Sequence, residues 1–163
     1  FSKKHSIILI MADQNRLDKT YMKMAEELST LSHAKRKKVG ALVVKDAHII
    51  SEGYNGTPAG FDNKCERETF NYPLYPYQHE PRTKSEVLHA ESNAITKLAR
   101  STNSSDGATL YVTLSPCFEC SKLIIQSGIV RVVYKDRYSP ADGIKFLREA
   151  GVFVDCILPG KKR

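Results

Sequence analysis

The chain reads as an α/β domain of three layers, α/β/α, built on a five-stranded mixed sheet that is antiparallel first and parallel later. Three observations predict this. Two β-branched segments, Val39–Lys45 and His48–Tyr54, form a hairpin pattern early in the chain. Beyond residue 88, helix-like and strand-like segments alternate, which implies crossovers and parallel pairing. The length of 163 residues suits one hydrophobic core. We place that single domain at 13–157, between terminal segments 1–12 and 158–163.

The elements follow in order. Leu17, Tyr21, Met24, Leu28 and Leu31 fall at helical spacing and predict an apolar stripe on a helix over about Arg16–Ser32. Asp46-Ala47 joins the two hairpin strands, and Gly40 before the apolar run implies close backbone packing. Residues 55–88 show no period and carry Pro58, Pro73, Pro76, Pro81, Tyr72, Tyr75 and Tyr77. A stretch that long is read as an insertion over a site. Leu88–Arg100 is a helix with Ala90, Ala94, Ile95, Leu98 and Ala99 on one face. Strand Ala108–Thr113, helix Pro116–Ser127 ended by Gly128, strand Ile129–Tyr134, helix Pro140–Ala150 ended by Gly151 and strand Val152–Val154 complete the domain.

Composition narrows the function. Hydrophobic residues at 41% and charged residues at 26% fit an ordinary globular chain. The early apolar run Ile7–Ala12 is too short for a membrane span, which needs about 20 residues, or for a signal core of about 7–15. A cytoplasmic protein without a membrane partner is therefore expected. The net charge of +7 favours phosphorylated small molecules or nucleic acid. Much of it sits in Lys3-Lys4, Lys35–Lys38 and Lys161–Arg163, where a solvated basic surface explains it equally well. The four cysteines are Cys65, Cys117, Cys120 and Cys156, and the close pair suggests metal or redox chemistry before a disulfide.

His89-Ala90-Glu91 opens one predicted helix, and Pro116-Cys117-Phe118-Glu119-Cys120 opens the next. Catalytic zinc takes three protein ligands and leaves a fourth position for water. His89, Cys117 and Cys120 are such a set, with both cysteines on one helical face, thiolates favoured by the helix dipole and Pro116 at the first helical position. Glu91, two residues from His89, suits a proton carrier that does not ligate the metal. Singly, these residues fit a helix cap, core thiols, half a structural zinc site or a first-turn charge. Jointly, H-x-E followed by P-C-x-x-C is the signature of zinc nucleobase deaminases.

On these motifs the sequence resembles the cytidine/deoxycytidylate deaminase superfamily, most specifically its deoxycytidylate branch, over about residues 16–155. The resemblance is carried by Val39-Gly40-Ala41, by Gly53-Tyr54-Asn55-Gly56-Thr57-Pro58-Ala59-Gly60, and by His89–Ile95. It continues through Tyr111–Cys117 and Cys120–Ile125. It implies a cytidine-deaminase-like fold and one catalytic Zn2+ per chain. It also implies hydrolysis of dCMP to dUMP and ammonia, in which a zinc-activated water attacks C4. Glu91 would protonate N3 and then the leaving amine. By the same resemblance Asn55 holds the sugar 3′-hydroxyl, Arg36 and Tyr138 the 5′-phosphate, and Ser115 contacts the base. Gly53 and Gly56 belong to an effector region, with dCTP and Mg2+ as activator and dTTP as inhibitor, in a homo-oligomer, commonly a hexamer. The position two before Arg36 is Ala34, where some relatives carry a cysteine for a second, structural zinc. With only Cys65 and His79 left over, that zinc is expected to be absent or weakened.

Three rivals stand beside this reading. A deaminase of tRNA or single-stranded DNA bases would use the net charge, but needs an open groove with stacking aromatics. The segment at 53–60 and the Pro/Tyr-rich insertion favour a closed mononucleotide pocket instead, with no stable nucleic-acid partner. A free-nucleoside cytidine deaminase would have no use for Arg36. A zinc-stabilised binding module would have no use for Glu91.

Overall fold

The computed structural model describes residues 3–67 and 82–157, with side chains from residue 13 onward. The elements are α1 (Lys3–Ser29), β1 (Gly40–Lys45), β2 (His48–Tyr54), α2 (Ala90–Leu98), β3 (Thr109–Leu114), α3 (Phe118–Gln126), β4 (Arg131–Asp136), α4 (Asp142–Glu149) and β5 (Phe153–Cys156). They form one sheet of order β2-β1-β3-β4-β5. β1 is antiparallel to both β2 and β3, whereas β3–β4 and β4–β5 are parallel. The expected three-layer architecture and mixed sheet are present.

Alternation along the strands divides the core. Ala41, Val43, Leu110, Val112, Val132 and Tyr134 face α2, α3 and α4, whose Ala90, Ala94, Leu98, Ile124, Ile144 and Leu147 join them. Leu42, Val44, Tyr111 and Val133 face the other way, where α1 contributes Met22 and Ala25. One long helix thus covers one face and three short helices the other. The hairpin turns at Asp46-Ala47 with both residues at positive φ, 50° and 62°, the twist that a two-residue hairpin requires. Among the described residues no helix is long and apolar enough to cross a membrane.

Helix α1 corrects the expected pattern. It starts at Lys3 rather than Arg16, so residues 3–12 continue it backwards. Among its described side chains Asp18, Met22 and Ala25 are buried, and Tyr21 and Leu28 of the expected stripe pack beside them, whereas Leu17, Met24 and Leu31 are exposed. The reason is a polar residue that sequence spacing treats as outward. Asp18 turns inward because Arg131 and Tyr111 both bond its carboxylate.

Two glycines set helix positions. A Cβ on Gly40 would lie 2.1 Å from the Ala25 carbonyl oxygen, so α1 rests directly on β1, as the sequence implied. A Cβ on Gly53 would lie 2.3 Å from the Ala90 carbonyl oxygen and 2.6 Å from the Ala94 nitrogen, so α2 rests directly on β2. Asn93 adds a 2.9 Å bond from its amide to the Tyr54 carbonyl. These contacts fix the start of α2, which carries the first residues of the site.

Candidate active site

The site lies beyond the carboxyl ends of β2, β3 and β4 and the amino end of β1. His89 is the N-cap residue of α2, with extended backbone, and Cys117 is the N-cap residue of α3. The expectation that Pro116 begins the helix is therefore corrected by two residues, since the helix starts at Phe118. The Cys117 sulfur takes the place of a capping oxygen and accepts the Cys120 backbone N–H at 3.5 Å. Cys120 follows in the first turn, which turns both sulfurs toward His89.

The donor geometry suits one metal ion. His89 Nδ1 lies 3.5 Å from Cys117 Sγ and 3.3 Å from Cys120 Sγ. All three donor atoms lie within 4.8 Å of one another. A tetrahedral zinc with Zn–S near 2.3 Å and Zn–N near 2.0 Å places such donors about 3.5–3.8 Å apart. One nitrogen and two sulfurs are also the donor types that zinc prefers, and three of them leave a coordination position open.

The electrostatics agree. Cys117 is held at about 4 by its hydrogen bond with Cys120, helped by His89. The same bond and burial push Cys120 up, and the bond to Cys117 raises His89. The hydrogen bond between the sulfurs and the nearby imidazole thus favours the thiolate form of Cys117. Glu91 sits in the first turn of α2, only 4% exposed, and burial lifts its carboxyl to about 7. A carboxyl that gains and loses its proton near neutrality is matched to general acid–base work.

A cavity of about 380 Å³ opens against these groups. His89, Glu91 and Cys117 line it together with Arg36, Asn55, Ser115 and Tyr138, so the structure gathers the four expected substrate residues around one space. Their local work is more specific than the sequence implied. Asn55 accepts the Val39 N–H at 2.8 Å and donates to the Lys37 carbonyl at 2.8 Å, which braces the basic loop. One lone pair and one N–H of its amide remain for a ligand. The Ser115 hydroxyl accepts the Tyr138 N–H at 2.7 Å and ties the loop after β4 to the loop after β3. The Arg36 guanidinium makes no hydrogen bond or ion pair among the described residues. Lys37, Glu66 and Thr83 also line the cavity, although no spacing or motif had marked them.

The two glycines assigned to an effector region do not line this cavity. Gly53 is buried under α2, as above, which is a packing role. Gly56 exchanges backbone bonds with Leu88, at 3.1 Å and 2.9 Å, and closes the base of the insertion. Cys65 is 1% exposed and packs with Ala34 and Val87, and His79 lies outside the described residues. Cys156 is exposed on β5.

A mixed α/β sheet with a histidine and two cysteines at adjacent helix starts, and a buried carboxyl between them, defines a zinc-dependent deaminase domain. Residues 15–136 match the cytidine and deoxycytidylate deaminase zinc-binding region, and the chain belongs to that family. It is 36% identical over 168 aligned residues to deoxycytidylate deaminase of Enterobacteria phage T4, covering 83% of this chain and 86% of that one. It is 41% identical over 120 residues to deoxycytidylate deaminase of Mycobacterium phage D29, covering 72% and 92%. The crystal structure of dCMP deaminase from cyanophage S-TIM5, in complex with dCMP and dUMP, superposes with a TM-score of 0.79. It is 44% identical and covers 87% of this chain and 97% of its own.

Proposed function

We propose that the chain hydrolyses dCMP to dUMP and ammonia. The observation that carries this is the placement of the Arg36 guanidinium, which bonds none of the described residues, on the same cavity as Glu91 and the His89–Cys117–Cys120 donors. That is a cation for a phosphate beside the groups for deamination. The phage deoxycytidylate deaminases named above support the same substrate class.

His89, Cys117 and Cys120 would hold one Zn2+, which when bound supplies Lewis acidity and a water of lowered pKa, near 7. Glu91 takes a proton from the attacking water and delivers it to the base. It first passes that proton to N3 as the C4–O bond forms, and then carries the remaining hydroxyl proton to the amine, so the C4–N4 bond breaks and ammonia leaves as the C4 carbonyl closes. Burial keeps its carboxyl competent for both directions near neutral pH. Arg36 and Tyr138 hold the 5′-phosphate, Asn55 the sugar 3′-hydroxyl through its spare amide valences, and Ser115 the base through its backbone.

The same reading takes in activation by dCTP with Mg2+, inhibition by dTTP, a hexamer of the chain and a cytoplasmic location, all by the family resemblance. The 53–60 segment remains the region assigned to the effector, with Gly53 itself serving α2.

The test is an ammonia-release assay on dCMP, deoxycytidine, dCTP and a cytosine-containing oligonucleotide, with zinc content measured. Turnover of dCMP in preference to the others, at one zinc per chain, supports the proposal. Turnover of the oligonucleotide without dCMP would replace it with the nucleic-acid reading.

A further inference from the structure

The segment between α1 and β1 brings Arg36 and Lys37 to the cavity, and side chains brace its backbone at both ends. Asn55 holds the end nearer β1. At the other end, Glu66 Oε1 accepts the N–H of Lys35 at 2.8 Å and that of Arg36 at 3.2 Å. Glu66 belongs to the insertion, where backbone bonding seats it. It forms an antiparallel bridge with Thr83, flanked by Arg67 N to Arg82 O at 3.0 Å and Lys84 N to Cys65 O at 2.9 Å. Behind the clamp, Cys65 of the insertion packs on Ala34 of the basic loop.

The carboxylate stands among cations yet forms no ion pair with Lys35, Arg36 or Lys37 among the described residues. Its accepting oxygen is occupied by two backbone N–H groups, and charged acceptors make the stronger hydrogen bonds. Among the described residues nothing pairs with the Arg36 guanidinium, which lines the cavity while its backbone is held. The Asn55 side chain alone could not do this, because among the described residues it bonds only Lys37 and Val39.

We propose that Glu66 is a positioning residue. By bonding the Lys35 and Arg36 amides it fixes the course of the Arg36 side chain into the cavity, and it couples the insertion to recognition of an anionic substrate group. This rests on the dCMP reading above for its kinetic consequence, but not for its structural one.

The variants are Glu66→Ala, Glu66→Gln, Arg36→Ala and the double variant of Glu66→Ala with Arg36→Ala. Glu66→Ala is expected to raise KM for dCMP on the order of tenfold, equivalent to about 1.4 kcal/mol, with kcat retained. Glu66→Gln keeps an oxygen for the same two N–H groups and stays close to the wild type. In the Arg36→Ala background, Glu66→Ala adds nothing further, since both act through one contact. Hydrogen exchange at the Lys35 and Arg36 amides, which needs no substrate, quickens in Glu66→Ala and not in Glu66→Gln. A fall in kcat at constant KM, a full additional loss in the double variant, or unchanged exchange at these amides would each overturn the proposal. Absence of dCMP turnover in the wild type would remove the proposed function alone, and the exchange result would still decide the clamp.

Discussion

Arg131 holds Asp18 with both arms of its guanidinium, Nη1 to Oδ1 at 2.9 Å and Nη2 to Oδ2 at 2.7 Å, across 113 residues of sequence. The Tyr111 hydroxyl donates to the same carboxylate at 2.7 Å, and Arg131 Nε reaches Asp155 at 2.9 Å. One ion pair therefore ties α1 to β3, β4 and β5 on the face of the sheet away from the site.

Removing Arg131 leaves the largely buried Asp18 carboxylate without its counter-charge, which costs on the order of 3 kcal/mol, whereas removing Asp18 leaves Arg131 its pair with Asp155 and costs less. Arg131→Ala is expected to lower the unfolding free energy by that order and Asp18→Asn by less, both read from the shift in urea midpoint multiplied by m. The zinc content of both variants stays unchanged, because the donors lie on the opposite face.

The same pair sets a pH dependence. Burial acts to raise Asp18, but hydrogen bonds from Arg131, Tyr111 and Gln14 outweigh it and hold the carboxyl below its ordinary value of 3.8. The unfolded chain thus binds more protons in acid than the folded one, so stability rises with pH. The contribution is fully present above the unfolded pKa and is lost as pH falls through the folded value. Stability curves of the wild type and Asp18→Asn should converge below that range and separate above it.

Glu91→Gln preserves shape but removes the proton carrier. We expect kcat on dCMP to fall about 10³-fold, within the range of acid–base contributions, with zinc still bound at the wild-type level. Steady-state kinetics with metal analysis checks this, and loss of zinc alongside activity would point to a structural role instead.

Metal removal should lower stability as well as abolish activity. A site filled to about 1,000 times its Kd contributes about 4 kcal/mol, which corresponds to roughly 10 °C in Tm for a chain of this size. Differential scanning calorimetry before and after dialysis against a chelator, and again after zinc is restored, measures the reversible shift.

The two glycines of the 53–60 segment should respond oppositely. A methyl on Gly53 meets the Ala90 carbonyl at 2.3 Å and forces α2 outward, whereas a methyl on Gly56 meets nothing within 4 Å. Gly53→Ala is expected to cost about 1–3 kcal/mol by overpacking and to weaken zinc binding through the shifted His89. Gly56→Ala should leave the urea midpoint and zinc content near those of the wild type.

Local patterns made much of this molecule legible. The hairpin, the alternating crossovers and the two helix starts are written in short stretches, and the donor set is legible because its spacing matches a known signature. Gly40 likewise announced close packing because it precedes an apolar run. What escaped depends on pairs far apart in sequence. Nothing near Asp18 says that Arg131 will draw it inward, so the expected stripe is met only in part: Tyr21 and Leu28 pack against the core, whereas Leu17, Met24 and Leu31 are exposed. Glu66 lies in a stretch without period, and its partners are backbone amides of another loop, which no side-chain pattern encodes. Gly53 was given to a ligand through its motif, whereas its missing Cβ serves the helix behind it.

The donors and the residues proposed for recognition hang on different kinds of structure. His89, Glu91, Cys117 and Cys120 are set by helix starts seated on the sheet. Arg36, Asn55, Glu66, Ser115 and Tyr138 belong to loops at its rim. Variation can therefore rewrite which nucleotide is admitted by exchanging rim segments while the reactive centre is inherited intact. Such an arrangement separates the choice of substrate from the chemistry performed on it.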